Sequence, residues 1–321
     1  MSMQTNFLNV ENLSMYYWTL RGYVKAVDDV SLSMSKGDVL GLVGESGCGK
    51  TSAMLTILRL LPRNAEIKCG KIYFDGIDLL KMPMSEFRSK IRWKRISTVF
   101  QGSMNALHPM MKIGDQLAEP IMLHEKVSKE EALNRARKLL ELVGMDPSRI
   151  DRYPHELSGG MKQRAVIAMS LACNPDLVIA DEPTTALDVV IAAQVMKLLK
   201  ELQSKLGISL IIVTHDLSVV AEVCDKVAIM YAGKVVESGS VEKIFGSPAH
   251  PYTKALIAAF PSILGPKVRL SSIPGDPPDL LAPPPGCRFH PRCSFAMEIC
   301  RLKEPSSVGI GENHIVACHL Y

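Results

Sequence analysis

Between a nearly continuous apolar run at residues 39–43 and a helical stretch at 52–61 closed by Pro62, the chain places Gly44-Glu45-Ser46-Gly47-Cys48-Gly49-Lys50-Thr51. This octet fits the pattern G-x(4)-G-K-[ST], and no other feature restricts the fold as much. Such a loop works only where a buried strand ends and a helix begins. Its glycines let backbone N–H groups turn inward on phosphates, and the helix start adds its positive end. Lys50 then neutralises β and γ oxygens, and Thr51 offers a hydroxyl to magnesium, with Ser52 next in the same turn. A chance glycine turn would have no need of the strand and helix on either side. The chain is expected to bind a nucleoside triphosphate.

The surrounding pattern supports an α/β core. Val30, Leu32 and Met34 alternate with serines, and Lys36-Gly37 reads as a turn before the apolar run. Residues 128–144 read as a helix: Ser128 and Glu131 form a capping box, Ala132, Leu133, Ala136, Leu139, Leu140 and Val143 form the buried stripe, and Gly144 stops it. Two later apolar runs, 177–180 and 209–213, flank a helix at about 190–205, an alternation that implies parallel strands. Residues 227–231 and 234–237, separated by Ala232-Gly233, read as a hairpin. Beyond Phe260 eight of the chain's 20 prolines fall within 261–286, leaving few donors for a sheet, so that stretch reads as a linker.

Composition excludes several classes. Apolar residues at 47% and charged residues at 22% of 321 are ordinary for a globular chain and unlike a disordered one. No run approaches the roughly 18–20 apolar residues of a membrane-spanning helix. Asn6, Asn9, Glu11 and Asn12 interrupt the layout a signal peptide needs, so a cytosolic location is expected. A net charge of +4 does not call for nucleic acid.

Two further motifs carry chemistry. Residues 177–180 form an apolar strand ending in Asp181 and Glu182. Alternation along a strand would point the two acids to opposite sides, so that Asp181 serves the magnesium shell and Glu182 faces an attacking water. Leu157-Ser158-Gly159-Gly160-Met161-Lys162-Gln163-Arg164 opens an apolar helix at about 161–172 and makes a second anion-binding helix start, for which one nucleotide has no use. With this stretch the sequence resembles an ATP-binding subunit of an ATP-binding-cassette (ABC) transporter, whose signature it matches.

The resemblance covers roughly residues 7–260 and implies a phosphate-loop (RecA-like) ABC ATPase core. An antiparallel β subdomain and a helical subdomain at about 102–173 would accompany it, within a nucleotide-binding domain spanning 1–245. It implies that Gln101 is the Q-loop residue touching magnesium and water, that Asp188 lies in the D-loop, and that His215 is the switch histidine reaching the γ-phosphate. Two such domains close head to tail in the family, so Ser158, Gly159, Gly160 and Gln163 would complete a partner subunit's ATP site. Tyr17, 33 residues before Lys50, is the candidate for stacking on adenine, with Tyr16 and Tyr23 as alternatives. Asn105-Ala106-Leu107-His108-Pro109 and His250-Pro251-Tyr252-Thr253 resemble the oligopeptide and dipeptide import branch, with His250 expected to be structural. The implied partners are a second ATPase subunit, two integral membrane permease subunits docked at about 101–121 with the helical region to Ala172, and, indirectly, a solute-binding protein. The implied place is the cytoplasmic face of the membrane. A soluble cassette ATPase would normally carry two cassettes or a long coiled coil, and a metabolite kinase leaves the signature unexplained.

Four of eight cysteines, Cys287, Cys293, Cys300 and Cys318, crowd into a small Cys-rich extension at 287–321, behind the segment 246–286. Disulfides do not persist in the cytosol, so the spacing C-x(5)-C-x(6)-C-x(17)-C points to zinc, a [4Fe–4S] cluster or buried thiols. Some members of the branch carry the cluster on matching cysteines, and the resemblance implies it here. Cys69, Cys173 and Cys224 read as core thiols. Cys48, at a helix N-terminus, is expected to have a depressed pKa and to react unless ATP shields it.

Overall fold

The computed structural model describes residues 7–102, 106–259 and 273–321. Its first strands and helix are β1 (Leu8–Thr19), β2 (Gly22–Met34), β3 (Val39–Val43), α1 (Lys50–Ile57), β4 (Ala65–Phe74) and β5 (Ile77–Asp78). There follow α2 (Met84–Glu86), β6 (Ile96–Val99), α3 (Ile113–Glu125), α4 (Lys129–Leu142), α5 (Gly159–Ser170), β7 (Leu177–Asp181), α6 (Val189–Leu206) and β8 (Ser209–Thr214). The chain ends in α7 (Leu217–Val223), β9 (Lys226–Tyr231), β10 (Lys234–Ser240), α8 (Val241–Gly246), α9 (Pro251–Ala258), α10 (Glu298–Leu302), β11 (Ser307–Gly311) and β12 (His314–Ala317). Two compact units result. One holds the described residues up to Ser35, Leu40–Leu80 and the described residues from Val213 onward; the other holds Lys36–Val39 and the described part of Lys81–Ile212.

In the first unit an antiparallel sheet runs β2-β1-β4-β5. Asn12, at φ 47°, sits where the β1 register slips, and the buried positions change phase there from Leu8 and Val10 to Leu13 and Met15. Tyr17 follows in phase with Met15 in the β1–β4 pairing, Met15 facing Ile67 and Tyr17 facing Ala65. The same unit carries the order β11-β12-β10-β9-β3, with β3 and β9 parallel from Leu40↔Lys226 to Val43↔Ile229. The expected hairpin is β9 and β10, turned at Ala232-Gly233.

The second unit carries β8-β7-β6, with β6 and β7 parallel, so the alternation of apolar runs and helices does give parallel pairs. Strands β7 and β8 are buried along their whole length, as the apolar runs 177–180 and 210–213 within them require. The helices expected at 128–144 and 190–205 form α4 and α6. Ser128 accepts a hydrogen bond from the Glu131 N–H at 3.2 Å, and Gly144 turns the chain at φ 71°. Within 106–173, α3, α4 and α5 make the helical part, and the expected helix at 161–172 begins two residues earlier, at Gly159.

Three boundaries differ from the sequence reading. The helix after the phosphate loop stops at Ile57 rather than Leu61, because Arg59 adopts φ 50° and the Leu60 N–H closes back on the Leu55 carbonyl at 2.9 Å. Part of the segment 246–286 is helix α9, started by Pro251 at its first position, where the missing N–H costs nothing. The Cys-rich end does not stand apart either. Strand β12 pairs with β10 at Glu237↔Val316 and Ser238↔Ile315, and Val316 and Cys318 pack on Ala249. The remainder of the linker expectation lies partly on 260–272, outside the described residues.

Glu237 ties this end together. Its buried carboxylate accepts hydrogen bonds from the Ala249 N–H (2.7 Å) and the His250 N–H (2.9 Å) and meets His314 Nε2 at 2.8 Å. Removing it leaves two buried backbone donors unpaired, each costing about 1–3 kcal/mol. Glu237→Ala should therefore lower Tm by roughly 5 °C or more, and Glu237→Gln by less, in a thermal melt of the full chain.

Candidate functional site

Strand β3, buried at every residue, delivers the chain to Gly44, and the loop ends at Gly49, the N-cap of α1, at φ 104°. A Cβ on Gly49 would lie 2.0 Å from the Ala26 carbonyl oxygen, and one on Gly44 2.1 Å from that of Met230. Only glycine lets the backbone pass there. The Lys50 ammonium donates to the Gly44 carbonyl (2.7 Å) and the Glu45 carbonyl (3.0 Å), which holds it over the loop. Ser46, Gly47 and Thr51 are exposed at the loop and the first helical turn, where an anion approaches.

Cys48 departs from expectation. It is 5% exposed, and burial pushes its thiol up despite the attraction of Lys50. The direction is opposite to the depressed pKa expected for a thiol at a helix start.

Tyr17 and its two alternatives part company. The Tyr17 hydroxyl lies 3.1 Å from Ser52 Oγ, next to the phosphate loop. Tyr16 donates to Asp28 at 2.6 Å and Tyr23 to Glu66 at 3.3 Å, so both are engaged away from that loop. Loss of the shared proton is opposed by burial and by Asp28, which pushes Tyr16 up to about 12. His215 follows β8 directly and is exposed; Asp216 beside it caps α7 by accepting from the Ser218 N–H at 2.9 Å.

In the second unit β7 ends at Asp181, which is 1% exposed. Glu182 is not a strand residue. Its φ of 45° takes it out of the pleat, so a left-handed turn, not strand alternation, sets its direction. Its Oε2 accepts from Gln101 Nε2 at 2.7 Å and from Thr185 Oγ1 at 3.0 Å. Two residues 81 apart in sequence, both singled out beforehand, thus meet.

Ser158 is the N-cap of α5, accepting from the Met161 N–H at 3.4 Å, and both Ser158 and Gly159 are exposed. Gln163 is 3% exposed and faces the interior, unlike the helix start. Asp188 is exposed as the N-cap of α6, accepting from the Ile191 N–H at 2.9 Å. Of the two branch-marking stretches, Asn105 lies outside the described residues. His250 is structural as expected: it is 1% exposed, its Nδ1 accepts from the Tyr252 N–H at 3.0 Å, and burial pushes its pKa down to about 3.

Cys287, Cys293, Cys300 and Cys318 line one small pocket, which His250 also lines. Burial pushes the Cys287 thiol up to about 11, with the other three close enough to add to the effect. The buried Nε2 of His250 has no hydrogen-bond partner among the described residues. Among those residues, however, no three His, Cys, Asp or Glu side chains are grouped so as to hold a metal ion. Neither the expected [4Fe–4S] cluster nor a zinc ion therefore finds a ready ligand set among them.

Sequence reasoning missed Arg292 and, although it named Tyr252 in a branch-marking stretch, missed that residue's contact with the loop. The Tyr252 hydroxyl accepts from the Glu45 N–H at 3.0 Å, and the Arg292 guanidinium grips the Glu45 carboxylate at 2.7 and 3.0 Å. No local signal connects positions 207 and 247 residues apart.

Comparison with known proteins bears on the whole chain. Residues 27–185 match the family described as ABC transporter, and residues 236–300 match the oligopeptide/dipeptide transporter C-terminal region. The chain is 47% identical over 316 residues to the oligopeptide transport ATP-binding protein OppD of Bacillus subtilis, covering 97% of this chain and 88% of that protein. It is equally identical to the dipeptide transport ATP-binding protein DppD of the same organism, covering 98% and 94%. Among solved structures it resembles the dimeric ATP-binding cassette MJ0796 bound to ADP and Pi, with a TM-score of 0.65 and 28% identity over 73% of this chain and 98% of that one.

The burial of Cys48 predicts selective labelling. Under native conditions a thiol reagent should modify exposed Cys69 readily and Cys48 only after unfolding, with or without ATP, as peptide mapping by mass spectrometry would check.

Proposed function

The chain belongs to the ABC transporter family as one of its ATPases, in the oligopeptide and dipeptide branch, and from that membership we propose how it powers the import of small peptides. The observation that carries the proposal is the Gln101–Glu182 hydrogen bond, which joins the residue implied to sense magnesium and water to the acid implied to activate that water. The chain works against separate membrane permease subunits, on the cytoplasmic face of the membrane. No helix among the described residues is long and apolar enough to cross a membrane, which suits a division of labour between chains. Exposed Phe100 and Met110 support docking of the permease near 101–121.

In turnover, the loop N–H groups and Lys50 bind the β and γ phosphates, and Tyr17 stacks on adenine. Family membership implies that Thr51, Gln101 and Asp181 would hold magnesium through oxygen donors, and when bound it would offset phosphate charge. Glu182 takes a proton from the attacking water, and Gln101 orients that carboxylate. His215 donates to a γ-phosphate oxygen. A second ATPase subunit, identical or related, contributes its signature to this site, and Ser158, Gly159 and Gly160 with the α5 N-terminus serve the partner's ATP. The exposure of Ser158 and Gly159 supports that role, whereas buried Gln163 acts only by supporting the helix.

For the cysteine extension we favour a [4Fe–4S] cluster over zinc. Four thiols lining one pocket, with a buried, unpartnered imidazole nitrogen beside them, support a group that accepts a hydrogen bond on sulfur. Cys287, Cys293, Cys300 and Cys318 would hold it, and when bound it would fasten a segment with little core of its own.

Glu182→Gln in the assembled complex should cut ATP turnover roughly 100-fold or more while leaving nucleotide binding intact. Turnover near the wild-type rate would sink the assignment of Glu182. Anaerobically purified wild-type protein should be brown and contain iron and sulfide; colourless protein with zinc and no iron would refute the cluster.

A further inference from the structure

Glu45 occupies a position that the phosphate-loop pattern leaves unspecified, and a carboxylate there is a liability. It puts a negative charge beside a site that must take up a polyanion, at a distance where repulsion is not screened away. The fold answers that charge from the far end of the chain. Arg292 Nη1 and Nη2 donate to the two carboxylate oxygens of Glu45 at 2.7 and 3.0 Å, the two-pronged geometry in which arginine pairs most strongly. The guanidinium is itself held. Its Nε donates to the Pro274 carbonyl at 2.8 Å, Nη1 reaches the Tyr231 hydroxyl at 3.3 Å, and the side chain is 5% exposed.

The backbone of Glu45 is fixed from the same side. Its N–H donates to the hydroxyl of fully buried Tyr252, whose ring packs 4.6 Å from Tyr231 and 5.4 Å from Phe289. Both handles of one loop residue are thus gripped by residues that follow the core in sequence. Arg292 directly precedes Cys293, so whatever fastens the cysteines also fixes the guanidinium.

We propose that Arg292 is a positioning residue for ATP: by neutralising and orienting Glu45 it readies the phosphate loop for the triphosphate, and so makes nucleotide affinity depend on the C-terminal extension. The proposal rests on ATP binding at residues 44–51. Lysine would neutralise the charge without the two-pronged grip, and alanine would leave Glu45 bare.

The test measures binding of a fluorescent mant-ATP probe with magnesium to the full chain carrying Arg292→Ala, Arg292→Lys, Glu45→Gln, or Glu45→Gln with Arg292→Ala. Arg292→Ala should weaken binding about tenfold, equivalent to roughly 1.4 kcal/mol, and the loss should shrink as salt is raised. Arg292→Lys should fall between. Adding Glu45→Gln to Arg292→Ala should restore affinity to within about threefold of wild type, because the uncompensated charge is gone. Unchanged affinity in Arg292→Ala overturns the proposal, and so does a loss that Glu45→Gln fails to restore, since that is what a purely structural arginine gives. If Arg292→Ala does not fold, the same comparison is made with Arg292→Lys: a loss seen with Glu45 in place and abolished by adding Glu45→Gln supports the proposal, and equal behaviour in both backgrounds overturns it. Absence of binding by the wild-type chain would instead overturn the nucleotide assignment on which the proposal stands.

Discussion

The phosphate loop depends on backbones that approach too closely for side chains. At Gly49 the nearest obstacle is the Ala26 carbonyl, and at Gly44 the Met230 carbonyl, one contributed by β2 and the other by β9. These approaches bring the end of β3 and the start of α1 against fixed neighbours, so that Lys50 and the first-turn N–H groups face one place. A backbone obstacle cannot rotate aside as a side chain can, which is why the glycines are required and the residues between them are free to vary. Glu45 uses that freedom, and its carboxylate becomes a handle for a distant part of the chain.

The C-terminal extension is joined to the phosphate-loop unit by polar contacts that would be costly to break. Glu237 satisfies two N–H groups at the start of α9 and reaches His314 on β12. Arg288 pairs with Asp28 and also donates to the Ala232 carbonyl, while Arg292 takes Glu45. These side chains are buried or nearly so, and a charge removed from water is tolerable only when its partner is in place. The aromatic set of Tyr231, Tyr252 and Phe289 excludes water around them. A segment that looks in sequence like an appendage is therefore part of the structure that holds the nucleotide loop.

Much of the core was legible because its signals are local. The apolar run of β3, the glycine loop, the Ser128 cap and the Gly144 stop each need only a few neighbouring residues to act. Where reasoning failed, a competing local force or a distant partner had the final say. Strand alternation did not apply to Glu182 because the strand had already ended in a left-handed turn. The Cys48 thiol is pushed up, not down, because burial outweighs the pull of Lys50. The helix after the loop ended early because Arg59 could close it with a backbone hydrogen bond, a choice that Pro62 did not reveal.

By itself the sequence determined the chemistry: a triphosphate loop, an acidic strand end, a signature helix start and four clustered cysteines, each specified by residue types at short spacing. Only the tertiary structure decided which of those parts meet. It set Gln101 on Glu182, brought the Tyr17 hydroxyl to Ser52, and brought Tyr252 and Arg292 to Glu45. The reason is physical. Backbone propensity and capping act within a turn or two, whereas a buried ion pair or hydrogen bond is selected only when folding removes water from both partners at once.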